Sequence, residues 1–146
     1  MRLFHYELIP VLDNKHLIAQ WRECIAIKRQ WEKGTLKHRL VSYVTEYEGT
    51  KFYFYTYKVA MEMERRNIKF QYKYLEEIYN FCYDLTDNMI KDKGYKTVSD
   101  ITNYPEHNDR YLKQCYFNLQ EKYDRGIISE EEWQKIYNKY KNKFDL

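Results

Sequence analysis

Apolar residues recur along most of this chain at helical spacing. Leu17, Trp21, Cys24 and Ile25 stand at i, i+4, i+7 and i+8, a spacing that gathers them on one face of a helix as a core-facing stripe. Asp13 is suited to cap that helix, which should run over about residues 14 to 33 and stop at Gly34. Phe52, Tyr55, Val59 and Met63 step by three and four over 51 to 66, and Leu75, Ile78, Tyr79 and Cys82 share one face over 73 to 83. Leu112, Cys115, Tyr116, Leu119 and Tyr123 do the same over 107 to 124, with Gly126 near the end. Ser129 followed three residues later by Glu132 is a capping box, opening a last helix with Trp133, Ile136, Tyr137 and Tyr140 on its apolar side.

Three stretches break the helical rhythm. Residues 2 to 9 read as extended and lead through Pro10 to the first cap; 38 to 47, with Leu40, Val41, Val44 and Tyr47, suit helix or strand, and helix is the expectation. Gly94 to Pro105 is the expected long loop. The fold class that follows is all-α: a compact single domain over residues 1 to 146 with an extended N-terminal segment packed among the helices.

Composition narrows the function classes. With 146 residues the chain is of single-domain size, and its net charge of +3 permits a nucleic-acid partner without demanding one. Cys24, Cys82 and Cys115 are odd in number and widely spaced, which fits neither a disulfide framework nor a zinc cluster and points to buried thiols in a reducing compartment. Residues 1 to 10 contain Arg2, His5 and Glu7, so no signal-peptide core opens the chain, and no later run reaches the roughly 20 apolar residues of a membrane span. A cytoplasmic protein, cellular or viral, is therefore expected. The histidines His5, His16, His38 and His107 lack metal-ligand spacing, and no glycine-rich phosphate loop is present.

Charge placement in the first helix carries the chemistry. At about 100° per residue Lys15, Arg22, Arg29 and Lys33 fall within roughly 40° of one another, with Ala19 and Ala26 between them. Such a stripe, opposite the core face, either approaches a phosphate backbone or is an ordinary solvated face. Glu23 is the one acid between Asn14 and Trp31 and lies with His16 at the boundary of stripe and core. Flanking arginines favour its ionised form, ready to act as a base or to stabilise a developing cation. Equally, it suits an intrahelical ion pair worth tenths of a kcal/mol.

The run His16-Leu17-Ile18-Ala19-Gln20-Trp21-Arg22-Glu23, preceded by a short N-terminus with Arg2, resembles the pyrimidine-dimer DNA glycosylase/AP lyase family. Arg2-Leu3, Tyr6 to Pro10, Lys37-His38, Tyr43-Val44 and Met61 to Arg66 are similar to its bacterial and viral members, over roughly residues 1 to 70. Leu119-Gln120-Glu121-Lys122 resembles a late helix segment that meets DNA in that family.

The resemblance implies a DNA repair enzyme whose nucleophile is the chain's own α-amine. An α-amine of ordinary pKa near 7.8 is about 30% unprotonated at pH 7.4, against about 0.1% for a lysine, so it needs no further activation. It implies attack on C1′, base loss, an imine with the protein and β-elimination that cuts the strand, with Glu23 stabilising the cationic intermediates. Arginine at position 2 disfavours removal of the initiator methionine, so Met1 is the expected nucleophile, which requires one extra residue before His16. The DNA-binding candidates are then Arg2, His16 and Lys122, together with Lys15, Arg22, Arg29 and Lys33 of the basic stripe. Ala26 stands where the family has an arginine, which Arg29 one turn later offsets, and Asn118 departs from the pattern near Lys122. The last helix lies where the family has an aromatic cluster against the lesion, but core packing is the stronger reading for Trp133 and Ile136, and Tyr137, Lys139 and Tyr140 suit either. The expected partner is double-stranded DNA with a pyrimidine dimer or abasic site, met by a monomer without metal or organic cofactor. A nucleic-acid-binding protein without catalysis and a helical interaction module are the two other readings the residues allow.

Overall fold

The structure is a computed structural model that describes residues 1–86 and 97–144. Its helices are α1 (Asn14–Glu32), α2 (Gly49–Arg65), α3 (Tyr72–Thr86), α4 (Val98–Thr102), α5 (Asp109–Asp124) and α6 (Glu130–Tyr140), with short 3-10 helices at Tyr6–Val11 and Ser42–Glu46. No strand occurs among the described residues, and the all-α expectation holds.

The helix ends follow their local chemistry. Asp13 caps α1 by accepting from the His16 backbone N–H at 3.2 Å, and Ser129 caps α6 through Glu132 N at 3.2 Å. Gly34, at φ +71°, lets the chain leave α1 while Thr35 N closes on the Gln30 carbonyl at 2.8 Å. A different demand acts at Gly49, where a Cβ would come within 2.5 Å of the Cys82 carbonyl oxygen. Only a residue without a side chain lets α2 begin this close to α3.

Three of the expected segments differ. The extended stretch is shorter than 2 to 9, because Leu8 N bonds the His5 carbonyl at 2.9 Å and His5 Nδ1 accepts from Glu7 N at 3.1 Å, winding Tyr6–Val11 into a 3-10 helix. The 38 to 47 stretch is a turn followed by the short Ser42–Glu46 helix, not a regular α-helix, since its ends close three residues apart, Val44 N on the Val41 carbonyl at 3.2 Å and Tyr47 N on the Val44 carbonyl at 3.5 Å. Within the expected long loop, Val98–Thr102 forms α4, whereas Gly94 lies outside the described residues. Tyr79, expected with the core face of α3, is exposed and packs edge-on against Tyr53.

One cluster of buried apolar side chains runs from Leu3, Leu8 and Leu12 through Leu17, Phe52, Val59 and Ile78 to Leu112, Leu119 and Ile136. All three cysteines are buried and free within it, and burial pushes the thiols of Cys24 and Cys82 up to about 12. The N-terminal segment is thus part of the core, a placement that fixes where the chain's first residues emerge.

Candidate active site

Three polar side chains hold the first residues in place. Gln20, buried on α1, donates from Nε2 to the Arg2 carbonyl at 2.8 Å and accepts from Phe4 N at 3.2 Å. Tyr55 of α2 donates to the Phe4 carbonyl at 2.7 Å and approaches Gln20 Oε1 at 2.9 Å. Tyr111 of α5 donates to the Leu3 carbonyl. An extended segment has no ladder of its own, so these bonds satisfy its backbone groups and set the direction of its end.

That end opens on a cleft of about 320 Å³ lined by Met1, Arg2, His16, Glu23 and Lys122. All five are residues that the sequence singles out, and the last comes from α5, 106 residues from His16 in sequence. Phe4, Ala19, Gln20, Leu40 and Asn118 complete its walls. The Met1 α-amine lies 3.4 Å from His38 Nε2.

Glu23 has no ion pair among the described residues, and its Oε2 is buried without a hydrogen-bond partner in the protein. An intrahelical partner, the plainer alternative for this residue, is therefore not what holds it. A buried carboxylate oxygen left unmatched costs free energy, and Glu23 borders the same cleft as Met1.

His16 is fully engaged. Both carboxylate oxygens of Asp13 lie 2.8 Å from Nδ1, and Lys122 Nζ lies 3.1 Å from Nε2. The ring donates to the carboxylate from Nδ1 and accepts from the ammonium at Nε2. Burial by itself would raise the Asp13 carboxyl, but the hydrogen bonds from the His16 ring and backbone outweigh it and hold the group below its ordinary value. This chain of three charged or polar groups fixes the Lys122 ammonium at the rim.

A larger hollow of about 610 Å³ lies elsewhere, between Pro10–Asn14, Arg65 and Arg66 and the start of α6. Its most buried cation is already spent on structure: Arg66 donates to the carbonyls of Leu12 at 2.6 Å and Pro10 at 3.1 Å, and its Nε meets Glu62 at 2.7 Å. Among the described residues no group of three or more His, Cys, Asp and Glu side chains is placed to hold a metal ion.

A model of the pyrimidine dimer DNA glycosylase family matches residues 1–74 of the 146. The chain belongs to this family. No curated protein and no solved structure matches it. The matched part spans the N-terminal segment, α1, α2 and the start of α3, and supplies every lining residue of the cleft except Asn118 and Lys122.

The remaining DNA-binding candidates lie apart from the cleft. Lys15, Arg22, Arg29 and Lys33 are exposed along α1, and the Arg29 guanidinium sits 5.7 Å from the centre of the Tyr74 ring. They form an outer stripe, not a wall of the site. In the last helix Trp133 and Ile136 are buried, as the apolar spacing expected, and so is Tyr140; Trp133 stacks with Tyr123 at 5.2 Å, and none of them borders the cleft. Core packing claims them because α6 must cover α5.

Sequence reasoning missed Gln20, His38 and Leu40 as parts of the site. Gln20 sits inside the motif that carried the resemblance, and a polar residue on the buried side of a helix is a signal that a partner must exist. His38 and Leu40 had no local signal, because only the return of the chain after α1 brings them to the N-terminus.

Proposed function

We propose that the chain is a pyrimidine-dimer DNA N-glycosylase with AP lyase activity that works through the α-amine of a retained, unblocked Met1. The amine lone pair forms a bond to C1′ as the glycosidic C–N bond breaks, and the departing base, still tied to its dimer partner, takes up a proton. Opening of the sugar ring breaks C1′–O4′, gives the imine and leaves O4′ to be protonated. Loss of a C2′ proton then expels the 3′ phosphate by β-elimination, and water releases the protein.

The observation that carries this reading is Glu23 Oε2, buried and unmatched beside the cleft that Met1 also lines. A cationic sugar or imine is the partner such an oxygen lacks, and preorganised charge of this kind commonly contributes a factor of about 10²–10³ in rate. His38, 3.4 Å from the amine, is the neighbouring group suited to exchange its proton. Arg2 and Lys122 at the same cleft suit phosphates on either side of the lesion.

Borohydride tests the reading, because only an imine is reduced to a stable protein–DNA adduct. Incubation with ultraviolet-irradiated duplex and with an abasic duplex should give an adduct that maps to Met1. No adduct with either substrate overturns it. The exposed stripe of Lys15, Arg22, Arg29 and Lys33 supports a second reading, nucleic-acid binding without chemistry, whose mark is steeply salt-dependent binding that never becomes covalent.

A further inference from the structure

His16 is held more firmly than a surface histidine needs. Its ring is buried and packs edge-on against Phe4, at 6.3 Å between ring centres. The Asp13 carboxylate, also buried, accepts from Nδ1 with both oxygens at 2.8 Å. That partner places the ring proton on Nδ1 and the lone pair on Nε2, the nitrogen that meets Lys122 Nζ at 3.1 Å. A helix cap needs only the backbone contact of Asp13, here the His16 N–H at 3.2 Å. Its second bond, to the ring, adds nothing to the cap. A carboxylate on one ring nitrogen and a lone pair on the other, at the edge of a cleft, is the arrangement of an oriented base.

The elimination step needs a base in one place. In the imine the acidic hydrogen is on C2′ and the departing phosphate on C3′, so the base must stand next to whatever holds that phosphate. His16 Nε2 stands beside the Lys122 ammonium. Glu23 lies seven residues further along α1, about 10 Å along the helix axis, and its unmatched oxygen suits the cation at C1′. In the free protein the ammonium covers the Nε2 lone pair. A phosphate draws the ammonium to itself and uncovers it.

We propose that His16 is the base of the elimination step, with Asp13 as the residue that positions it and Lys122 as the holder of the leaving phosphate. The inference rests on reading the cleft as a glycosylase and lyase site, and it assigns a proton transfer that this reading leaves without a residue. The Nε2 lone pair forms a bond to the C2′ proton, and the C2′–H pair becomes the C2′=C3′ double bond. The C3′–O pair leaves with the phosphate, whose added charge meets the Lys122 ammonium. The ring becomes an imidazolium, stabilised by Asp13, and returns its proton to water as the product departs.

The test follows two steps of the full chain on one abasic duplex. Imine formation is read by borohydride trapping in a single turnover, and elimination by strand cleavage without reductant. His16→Ala should lose about 10²-fold more cleavage than trapping, and added imidazole should raise its cleavage rate at least about fivefold. Asp13→Ser keeps a capping side chain but is too short to reach the ring; it should show the same split at about tenfold, and it decides the matter if His16→Ala does not fold. Trapping and cleavage that fall together would make the pair a structural or DNA-binding feature and overturn the assignment. So would cleavage in His16→Ala that imidazole does not raise. No adduct with the wild-type protein overturns the reading of the cleft and the assignment with it, whereas an adduct that breaks down equally fast in wild type and both variants overturns the assignment alone.

Discussion

Glu23 on α1 and Glu62 on α2 are both glutamates set among arginines on a helix, and the fold uses them in opposite ways. Glu62 is ringed by donors: Arg65 reaches it from Nε at 3.0 Å, and Arg66 from Nε at 2.7 Å. Burial alone would raise its carboxyl, but the two arginines outweigh that effect and hold it below the ordinary value. Arg66, oriented by Glu62, grips the carbonyls at the end of the N-terminal segment. Glu23 follows Arg22 in sequence, yet Arg22 is exposed on the outer stripe and one carboxylate oxygen of Glu23 stays unmatched at the cleft. A carboxylate whose partners are all inside the protein holds structure together; one left short of a partner is available to a ligand.

The largest expected effects come from removing each charge in turn. Glu23→Gln should cut strand cleavage by about 10²–10³ in single-turnover assays while leaving thermal stability and DNA affinity nearly as they were. Glu62→Gln should do the reverse, lowering stability by about 1–2 kcal/mol in denaturant titrations with cleavage changed by less than about threefold. If both variants lose stability alike and keep their cleavage rate, the contrast between the two residues is wrong. Chemical acetylation of the terminal amine sharpens the same contrast, since it should abolish the borohydride adduct without weakening duplex binding measured by anisotropy.

Acid separates structural from functional groups in another way. Burial, aided by His5 and Lys58, lowers the pKa of His107 from 6.5 to about 3. The unfolded chain therefore takes up a proton that the folded chain refuses between these values. Stability from this group is complete above pH 6.5 and falls as pH drops toward 3, by at most about 1.4 kcal/mol per unit. Glu62 adds a second loss at lower pH: its folded value lies below 4.5, so its contribution is present above 4.5 and disappears as pH falls through the folded value. Melting temperatures of wild type and Glu62→Gln should run parallel from pH 7 to about 5 and converge below about 4.5. Parallel curves throughout would show that Glu62 does not titrate with folding.

The smallest effect belongs to the outer stripe. Replacing Lys15 and Arg22 with glutamine should lower the slope of log affinity against log salt by about 1–2, one contact per cation, with the trapping rate at saturating DNA unchanged. A slope that does not move would place the DNA path elsewhere on the surface.

Most helix positions could be read from periodicity because each amphipathic face obeys a local rule. Asp13, Ser129 and Gly34 act as caps and stop where their chemistry says they should. The 3-10 turns at Tyr6–Val11 and Ser42–Glu46 were not legible, since segments this short are decided by a few hydrogen bonds and by what they pack against. At the site, Glu23 and His16 stood out as anomalies of type and position. His38 and Leu40 did not, because nothing within a few residues of them refers to the N-terminus.

By itself the sequence determined the helical class, the basic stripe of α1, and the family, whose model reaches from residue 1 to 74. Spacing along one chain segment is enough for the first two, and residue identities along residues 1–74 for the third. Only the tertiary structure decided that Met1, Glu23, His16 and Lys122 share one cleft and that Glu23 keeps an unmatched oxygen. The physical reason is distance in sequence: whether a charge finds a partner depends on which remote segments the core brings beside it, and no local pattern encodes that.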